Sequence, residues 1–253
     1  MTKKIFLLNN FSANKSYISI LFVVCCLTNS YSQNKAIVPE KPKLIITVVV
    51  QQMRYDYLTR FSKHYSRGGI RKLMYQGTNC SNTQINYAYT QSASGYASIS
   101  TGSTPANHGI IGNQWFNKRT REKNYAVYDN STSCIGCKQA KYIQASAKQL
   151  GASTYADELF SSSFGKSKVF SIGIEPYSAI LMAGQKNSGT FWLDDLSGNW
   201  VSSSFYTQQL PSWLHAFNAK KIPDLYIDRQ WNTLLPINYY EESLEDNSPF
   251  EIG

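Results

Sequence analysis

Histidine is scarce in this sequence, and its scarcity limits the chemistry that the chain can perform. Among 253 residues there are three histidines, His64, His108 and His215. No two of them have a metal-binding spacing such as His-x-x-x-His. Zinc-finger spacings and a helical stripe of basic residues are also missing, which argues against a nucleic-acid-binding protein.

Long apolar runs are missing as well. The apolar run over residues 17–27 is shorter than the ~20 residues that a transmembrane helix needs. Lysines precede it and small residues follow it up to Ser32, an order that predicts a secretory signal over residues 1–32. We therefore expect a periplasmic or secreted protein that has no membrane attachment after cleavage. A lipid anchor at Cys25 or Cys26 is the alternative, which the valines before Cys25 disfavour.

Acidic residues are outnumbered by basic ones. Lysine and arginine number 25 against 16 aspartates and glutamates, which gives a formal net charge of +9. Such an excess fits a phosphate-bearing partner, and it fits a solvated basic surface at least as well. A phosphate ester or another anion is therefore a candidate ligand.

Three cysteines remain after the predicted cleavage, and an oxidising compartment favours disulfides among them. Cys134 and Cys137 could close on each other, or Cys80 could pair with one of them. A redox motif or half of a zinc site is a weaker interpretation, because no second pair of metal ligands follows.

The chain beyond the predicted signal divides into a polar linker over residues 33–42 and a domain over residues 43–253. Within that domain, the continuous β-branched run over residues 44–50 predicts a strand buried on both faces. Residues 168–174 predict a second such strand. We expect the two to be parallel neighbours in one sheet, whose uncovered edge would be apolar and would invite self-association.

Helical signals stand next to these strands. The spacing of Ile70, Leu73 and Met74 predicts a helix that ends at Gly77. A capping box at residues 154–157 predicts the start of another helix, which ends near residue 165. Helices that precede strands in this way predict an α/β fold with a doubly wound, mostly parallel sheet.

The carboxyl ends of the two predicted strands lie at Gln51 and Glu175. In open α/β sheets ligands bind outside these ends. The small-residue stretch SASGYASIS, residues 92–100, would supply a loop and a helix start whose backbone N–H groups can bind an anion. Ser92 would then place a hydroxyl beside the anion, and Asn113 would add a neutral donor.

Several stretches of the sequence resemble the secreted alkaline phosphatases of the PafA type, which belong to the alkaline phosphatase superfamily together with the type I phosphodiesterases and nucleotide pyrophosphatases. The resemblance runs in order from about residue 41 to the end, and its most specific motif is TGSTPANHGIIGNQW. It implies an alkaline-phosphatase-like fold of which this sequence covers the N-terminal part only. The other stretches are VVVQQMRYDYL, GGIRKLMYQGTNCSNTQINYAYT, GKSKVFSIGIEPYSAILMAG, FWLDDLSGNWVSS and WNTLLP.

The resemblance implies a two-zinc hydrolase of phosphate esters. It places a metal-binding aspartate at Gln51 and the metal-activated threonine nucleophile at Ser92. It places the asparagine, lysine and arginine that bind phosphate at Asn113, Glu175 and Tyr177. The remaining zinc ligands would come from a second half that this sequence does not include.

Most of these positions depart from the family pattern. Ser92 keeps a usable hydroxyl, since serine serves in other alkaline phosphatases, and Asn113 is retained. Gln51 is a poor zinc ligand, Glu175 reverses the charge of a lysine, and Tyr177 is neutral. We therefore expect that zinc is not stably bound and that catalysis is impaired, because phosphoryl transfer depends on electrostatic stabilisation.

Three functional hypotheses remain open at this point. The first is a non-catalytic homologue of the phosphatases, which associates with itself or with a second chain that completes the fold. The second is an active phosphomonoesterase or phosphodiesterase that uses Ser92. The third is an exported protein that binds an anion or a partner through Asn113 and the helix start. In each of them we expect His108 to be structural, packing the loop and donating to a backbone carbonyl.

Overall fold

The computed structural model describes residues 42–138, 144–230 and 232–243. The chain divides into two compact units, residues 1–50 and 51–253. The predicted signal segment and most of the predicted linker lie outside the described residues. Within the described part, no helix is long and apolar enough to cross a membrane.

The β-branched run over residues 44–50 makes up most of the described part of the first unit, residues 42–50. It forms no strand and belongs to neither sheet, so the predictions of a strand here and of its parallel pairing with residues 168–174 are wrong. Leu44, Ile46 and Val48 are 74%, 74% and 78% exposed, so the predicted burial is wrong too. A β-branched composition favours extended backbone, but a strand also needs a ladder of hydrogen bonds with a neighbour.

The second unit contains short helices and strands in mixed order. Its described helices are α1 Tyr57–Arg60, α2 Gly69–Gln76, α3 Ser92–Thr101, α4 Pro105–His108, α5 Tyr155–Ser162, α6 Pro176–Ala183 and α7 Ser212–Asn218. Its strands are β1 Gln114–Asn117, β2 Glu122–Tyr125, β3 Cys134–Ile135, β4 Phe170–Gly173, β5 Gly189–Asp194 and β6 Asn199–Ser203. Three 3-10 turns cover Ser62–His64, Ile222–Leu225 and Ile237–Tyr239.

The strands form a separate β1–β2 hairpin and a four-stranded sheet in the order β3-β6-β5-β4. The sheet is mixed in the described residues, since β4 and β5 are parallel whereas β6 is antiparallel to both β5 and β3. The predicted strand over 168–174 is confirmed as β4, and the α/β class is confirmed with it. However, Phe170 and Ile172 are 58% and 61% exposed, so this strand is not buried on both faces.

Two packed regions stabilise this unit. Helices α3 and α6 pack against each other, and α6 also packs against β4 and β5. The second region is an apolar cluster of Phe191, Leu210 and Leu214, against which Ile135 and Trp200 pack. A disulfide between Cys134 and Cys137 lies at β3 beside this cluster, whereas Cys80 is free and exposed.

The two helix predictions are confirmed. Helix α2 ends at Gly77, and α5 begins with a capping box in which Thr154 and Asp157 exchange hydrogen bonds. The buried carboxylate of Asp157 also accepts the backbone N–H groups of Gln185 and Lys186 at 2.8 and 2.7 Å. One side chain thus joins the start of α5 to the loop after α6.

The loop after α4 is fixed by the buried ring of His108. Its Nε2 lies 3.0 Å from the hydroxyl of Ser98 on α3, and its Nδ1 accepts the backbone N–H of Ile110 at 3.1 Å. The structural role is confirmed, but the predicted donation to a carbonyl is wrong, because the ring accepts an amide. Burial lowers the pKa of His108 below its usual value, so the neutral ring is the favoured form.

Replacing Asp157 by alanine should destabilise the protein by about 2–4 kcal/mol, because buried donors at both the helix start and the neighbouring loop lose their acceptor. The matched control is Glu158→Ala, which removes an exposed acid from the same helical turn. That change should cost no more than about 0.5 kcal/mol. Urea unfolding of both variants checks this, and equal losses would show that the Asp157 contacts contribute little.

Because the folded pKa of His108 is depressed, its contribution to stability is fully present above the usual pKa of 6.5 and declines as the pH falls below it. We expect His108→Gln to be less stable at pH 7.5 by about 1–3 kcal/mol and to lose less stability on going to pH 5.5. Exposed His215 offers the control His215→Gln, which should change the free energy of unfolding at pH 7.5 by no more than about 0.5 kcal/mol. A His108→Gln protein with the wild-type pH dependence would contradict this assignment.

Candidate functional site

Helix α3 carries the candidate site and is largely buried because its inward face is made of small residues. Ala93, Ser94 and Ala97 are fully buried. Ser100 is also buried, and its hydroxyl donates to the carbonyl of Leu181 on α6 at 2.7 Å. Small side chains allow α6 to approach closely, and hydrogen bonds from the serine hydroxyls satisfy their polar atoms. The helix is therefore held in a fixed position with Ser92 as its first residue.

The start of α3 is held by two contacts with Asn113, the residue before β1. The Asn113 side-chain oxygen accepts the N–H of Ala93 at 2.8 Å, and the Asn113 N–H donates to the side-chain oxygen of Gln91 at 2.7 Å. A Cβ at Gly112 would lie 2.6 Å from this Gln91 oxygen, so a side chain there would displace the Gln91 amide from its present position. Asn113 thus lies beside Ser92 as expected, but its carbonyl oxygen caps the helix.

Gln51 reaches the same helix through a neutral hydrogen bond. Its side-chain amide donates to the hydroxyl of Tyr96 on α3 at 2.9 Å. The Tyr96 ring in turn lies 6.4 Å, centroid to centroid, from the ring of Tyr177 on α6. The residue that the family resemblance places at a metal-binding position thus donates a hydrogen bond to the phenol of Tyr96.

Glu175 and Tyr177 lie at the beginning of α6, directly after the carboxyl end of β4. Glu175 is the exposed residue before the helix, and Tyr177 is half-buried. Burial raises the pKa of the Tyr177 phenol, and hydrogen bonding to the Glu175 carboxylate raises it further, whereas hydrogen bonding with Ser92 acts in the opposite direction. The phenol therefore stays protonated at neutral pH, with Glu175 and Ser92 as its polar neighbours.

The structure therefore brings all the sequence-predicted site residues to one place. Gln51 donates a hydrogen bond to Tyr96, whose ring is tilted against that of Tyr177. Tyr177 interacts with Ser92 and Glu175, and Asn113 accepts the N–H of the residue after Ser92. The sequence did not indicate Gln91 or a binding role for Tyr96. Their contacts are made over 22 and 45 residues, which no local spacing reveals.

The donor atoms of this site do not fit zinc. They comprise amides, hydroxyls, phenols and a single exposed carboxylate, whereas zinc sites use thiolate, imidazole and carboxylate ligands. In the part of the chain that the structure describes, no group of three or more His, Cys, Asp and Glu side chains could hold a metal ion. The described residues at this site therefore do not supply the ligand types of a two-zinc centre.

Comparison with known proteins identifies the family to which this chain is related. Residues 45–238 match the family described as Type I phosphodiesterase / nucleotide pyrophosphatase. Alkaline phosphatase PhoV of Synechococcus elongatus is 39% identical over 241 residues, which cover 92% of this chain and 44% of that protein. Alkaline phosphatase PafA of Elizabethkingia meningoseptica is 39% identical over 211 residues, which cover 83% of this chain and 39% of that protein. The chain thus spans less than half the length of these relatives.

Solved structures agree with this relationship. The crystal structure of wild-type PafA superposes with a TM-score of 0.80, covering 83% of this chain and 41% of that chain. A PafA variant, with a TM-score of 0.77, has a threonine changed to serine and an asparagine, a lysine and an arginine changed to alanine. The four positions are spaced by 21, 62 and 2 residues along that protein, and Ser92, Asn113, Glu175 and Tyr177 have the same spacing here.

The expected alkaline-phosphatase-like fold is therefore confirmed for the matched part. Family match, sequence identity and superposition agree on the same region of the chain. This chain belongs to the type I phosphodiesterase / nucleotide pyrophosphatase family, within the alkaline phosphatase superfamily.

Proposed function

We propose that this chain is an exported, non-catalytic member of its family. It keeps the frame of a phosphate site, by which we mean the start of α3 with its Gln91 and Asn113 contacts, without the charges of such a site. One observation carries the proposal: the side chains that meet at the start of α3 and α6 include a carboxylate and no cation. The shared spacing with the substituted PafA positions supports reading Ser92, Asn113, Glu175 and Tyr177 as the former phosphate-binding set.

Electrostatics decides against turnover at such a site. A transferring phosphoryl group is a dianion that enzymes stabilise with metals, arginine and lysine, and each such interaction is worth a few kcal/mol. A carboxylate at 4–6 Å instead repels each unit of negative charge by up to about 4 kcal/mol at an effective dielectric of 20. Glu175 is exposed, so solvent reduces this repulsion, but the favourable interaction with a lysine is still missing.

The nucleophile position is inactive for a separate reason. A serine hydroxyl needs a metal or a base to remove its proton. Ser92 interacts with the Tyr177 phenol, whose raised pKa makes it unable to act as a base at neutral pH. Gln51 supplies an amide where a charged metal ligand is expected. We therefore propose that the chain alone holds no stable zinc and that Ser92 does not attack phosphorus.

Anion binding without catalysis is the weaker alternative. It would use the N–H groups at the start of α3 and the side chain of Asn113. The Ala93 N–H already donates to the Asn113 oxygen, so one of these donors is satisfied within the protein.

The matched relatives have more than half of their length outside the aligned part. We propose that a segment equivalent to this unaligned part supplies the missing metal ligands, either from the same chain or from a second one. The other candidate partner is a second copy of this chain.

The exported chain, supplied with zinc, should hydrolyse p-nitrophenyl phosphate no faster than its Ser92→Ala variant. A homologous active phosphatase such as PafA serves as the positive control. Restoring the charges with Gln51→Asp, Glu175→Lys and Tyr177→Arg should not by itself restore turnover, because the other metal ligands remain absent from the described residues. Zinc-dependent turnover that Ser92→Ala abolishes would overturn the proposal and establish an active hydrolase.

A further inference from the structure

A second charged region lies apart from the candidate site, on the segment that contains α1 and α2. Six cationic side chains occur between residues 54 and 72, against one acidic residue, Asp56. The cations are Arg54, Arg60, Lys63, Arg67, Arg71 and Lys72. Asp56 is already paired with Arg54 at 3.0 Å, so most of this positive charge has no acidic partner nearby in the sequence.

The partners of this segment come from the far end of the described chain. Lys63 Nζ lies 3.0 Å from a Glu241 carboxylate oxygen and 2.7 Å from a Glu242 carboxylate oxygen. His64 Nε2 lies 3.1 Å from the other oxygen of Glu242, and Arg60 donates to the Glu242 backbone carbonyl. Residues separated by 178 positions are thus joined by ion pairs and hydrogen bonds.

The segment over residues 232–243 has little else to hold it. None of its side chains is buried, and Leu234, Ile237 and Tyr239 are 93%, 52% and 54% exposed. Its regular structure is limited to the 3-10 turn Ile237–Tyr239. Burial of apolar surface usually fixes a chain segment, and here that contribution is small.

We propose that Arg60, Lys63 and His64 with Glu241 and Glu242 form an electrostatic clasp that holds residues 235–243 and opens when its charges are screened or removed. Single exposed ion pairs stabilise little, but networks that share a carboxylate are more effective. Glu242 shares its two oxygens between Lys63 and His64, and its side chain is only 19% exposed. The clasp is independent of the proposed function, since none of its residues belongs to the candidate site.

The pKa shifts of Glu242 and Lys63 agree with an ion-paired clasp. Lys63 and His64 lower the pKa of Glu242 to about 2, and the two glutamates raise the pKa of Lys63 above its usual value. The contribution of Glu242 is therefore present above pH 4.5 and lost as the pH falls towards 2, and that of Lys63 is present below pH 10.5. Lys63 and Glu242 therefore both stay charged across the neutral range, so salt is the suitable variable for a test.

Hydrogen exchange of the full chain measures whether the clasp holds the segment. The amides of Tyr239, Tyr240 and Ser243 donate within the segment's own turns and report its opening. At low ionic strength we expect Lys63→Glu to speed their exchange about three- to tenfold, whereas Lys63→Arg should keep the wild-type rate. Salt at about 0.5 M, well above physiological ionic strength, should speed the exchange of these amides in the wild-type chain. It should have little further effect in Lys63→Glu.

Lys72→Glu is the matched control, because it reverses a cation of the same segment that contacts neither glutamate. It should leave the exchange of the three amides unchanged. If Lys63→Glu fails to fold, the salt titration of the wild-type chain tests the clasp by itself. Exchange that responds neither to Lys63→Glu nor to salt, or that responds equally to Lys72→Glu, would overturn the proposal.

Discussion

The reciprocal contacts of Asn113 with Gln91 and Ala93 fix the helix start on which the candidate site depends. One residue accepts from the helix and donates to the residue before it, so the loop before β1 and the start of α3 form one unit. A Cβ at Gly112 would lie 2.6 Å from the Gln91 oxygen and would disturb this hydrogen bond, so glycine suits the close approach. Ser92 is positioned by these contacts and by the small-residue packing of α3 on α6.

Under the proposed function, the backbone arrangement at the start of α3 is kept while the charged groups expected there are replaced by the side chains of Gln51, Glu175 and Tyr177. Gln51 donates a hydrogen bond to Tyr96, and the Tyr177 phenol interacts with Glu175 and Ser92. Each of these side chains therefore has a polar partner within the site. A single substitution in a charged site would leave an uncompensated group, which is costly when it is partly buried. Here the contacts are made mainly by uncharged amides, hydroxyls and phenols, and Glu175 contributes a carboxylate.

Local sequence signals predicted local structure well in this chain. The capping box at Thr154 and Asp157, the end of α2 at Gly77 and the strand near residue 170 all follow from neighbouring residues. The run over residues 44–50 shows the limit, since its composition predicts extended backbone but cannot supply a partner strand. The membership of the site could be inferred because the family pattern fixes its spacing. The roles of Gln91 and Tyr96 could not, because each depends on a contact between distant residues.

The most direct test of this account is the affinity for inorganic phosphate, measured by calorimetry or phosphorus NMR on the wild-type chain and on a variant with Glu175→Lys and Tyr177→Arg. If the frame survives and only its charges are lost, wild type should show no binding at millimolar phosphate. The variant should bind, because two cations then face an intact helix start. Phosphate binding by the wild-type chain that Asn113→Ala abolishes would contradict the account, and so would an intact, folded variant that does not bind.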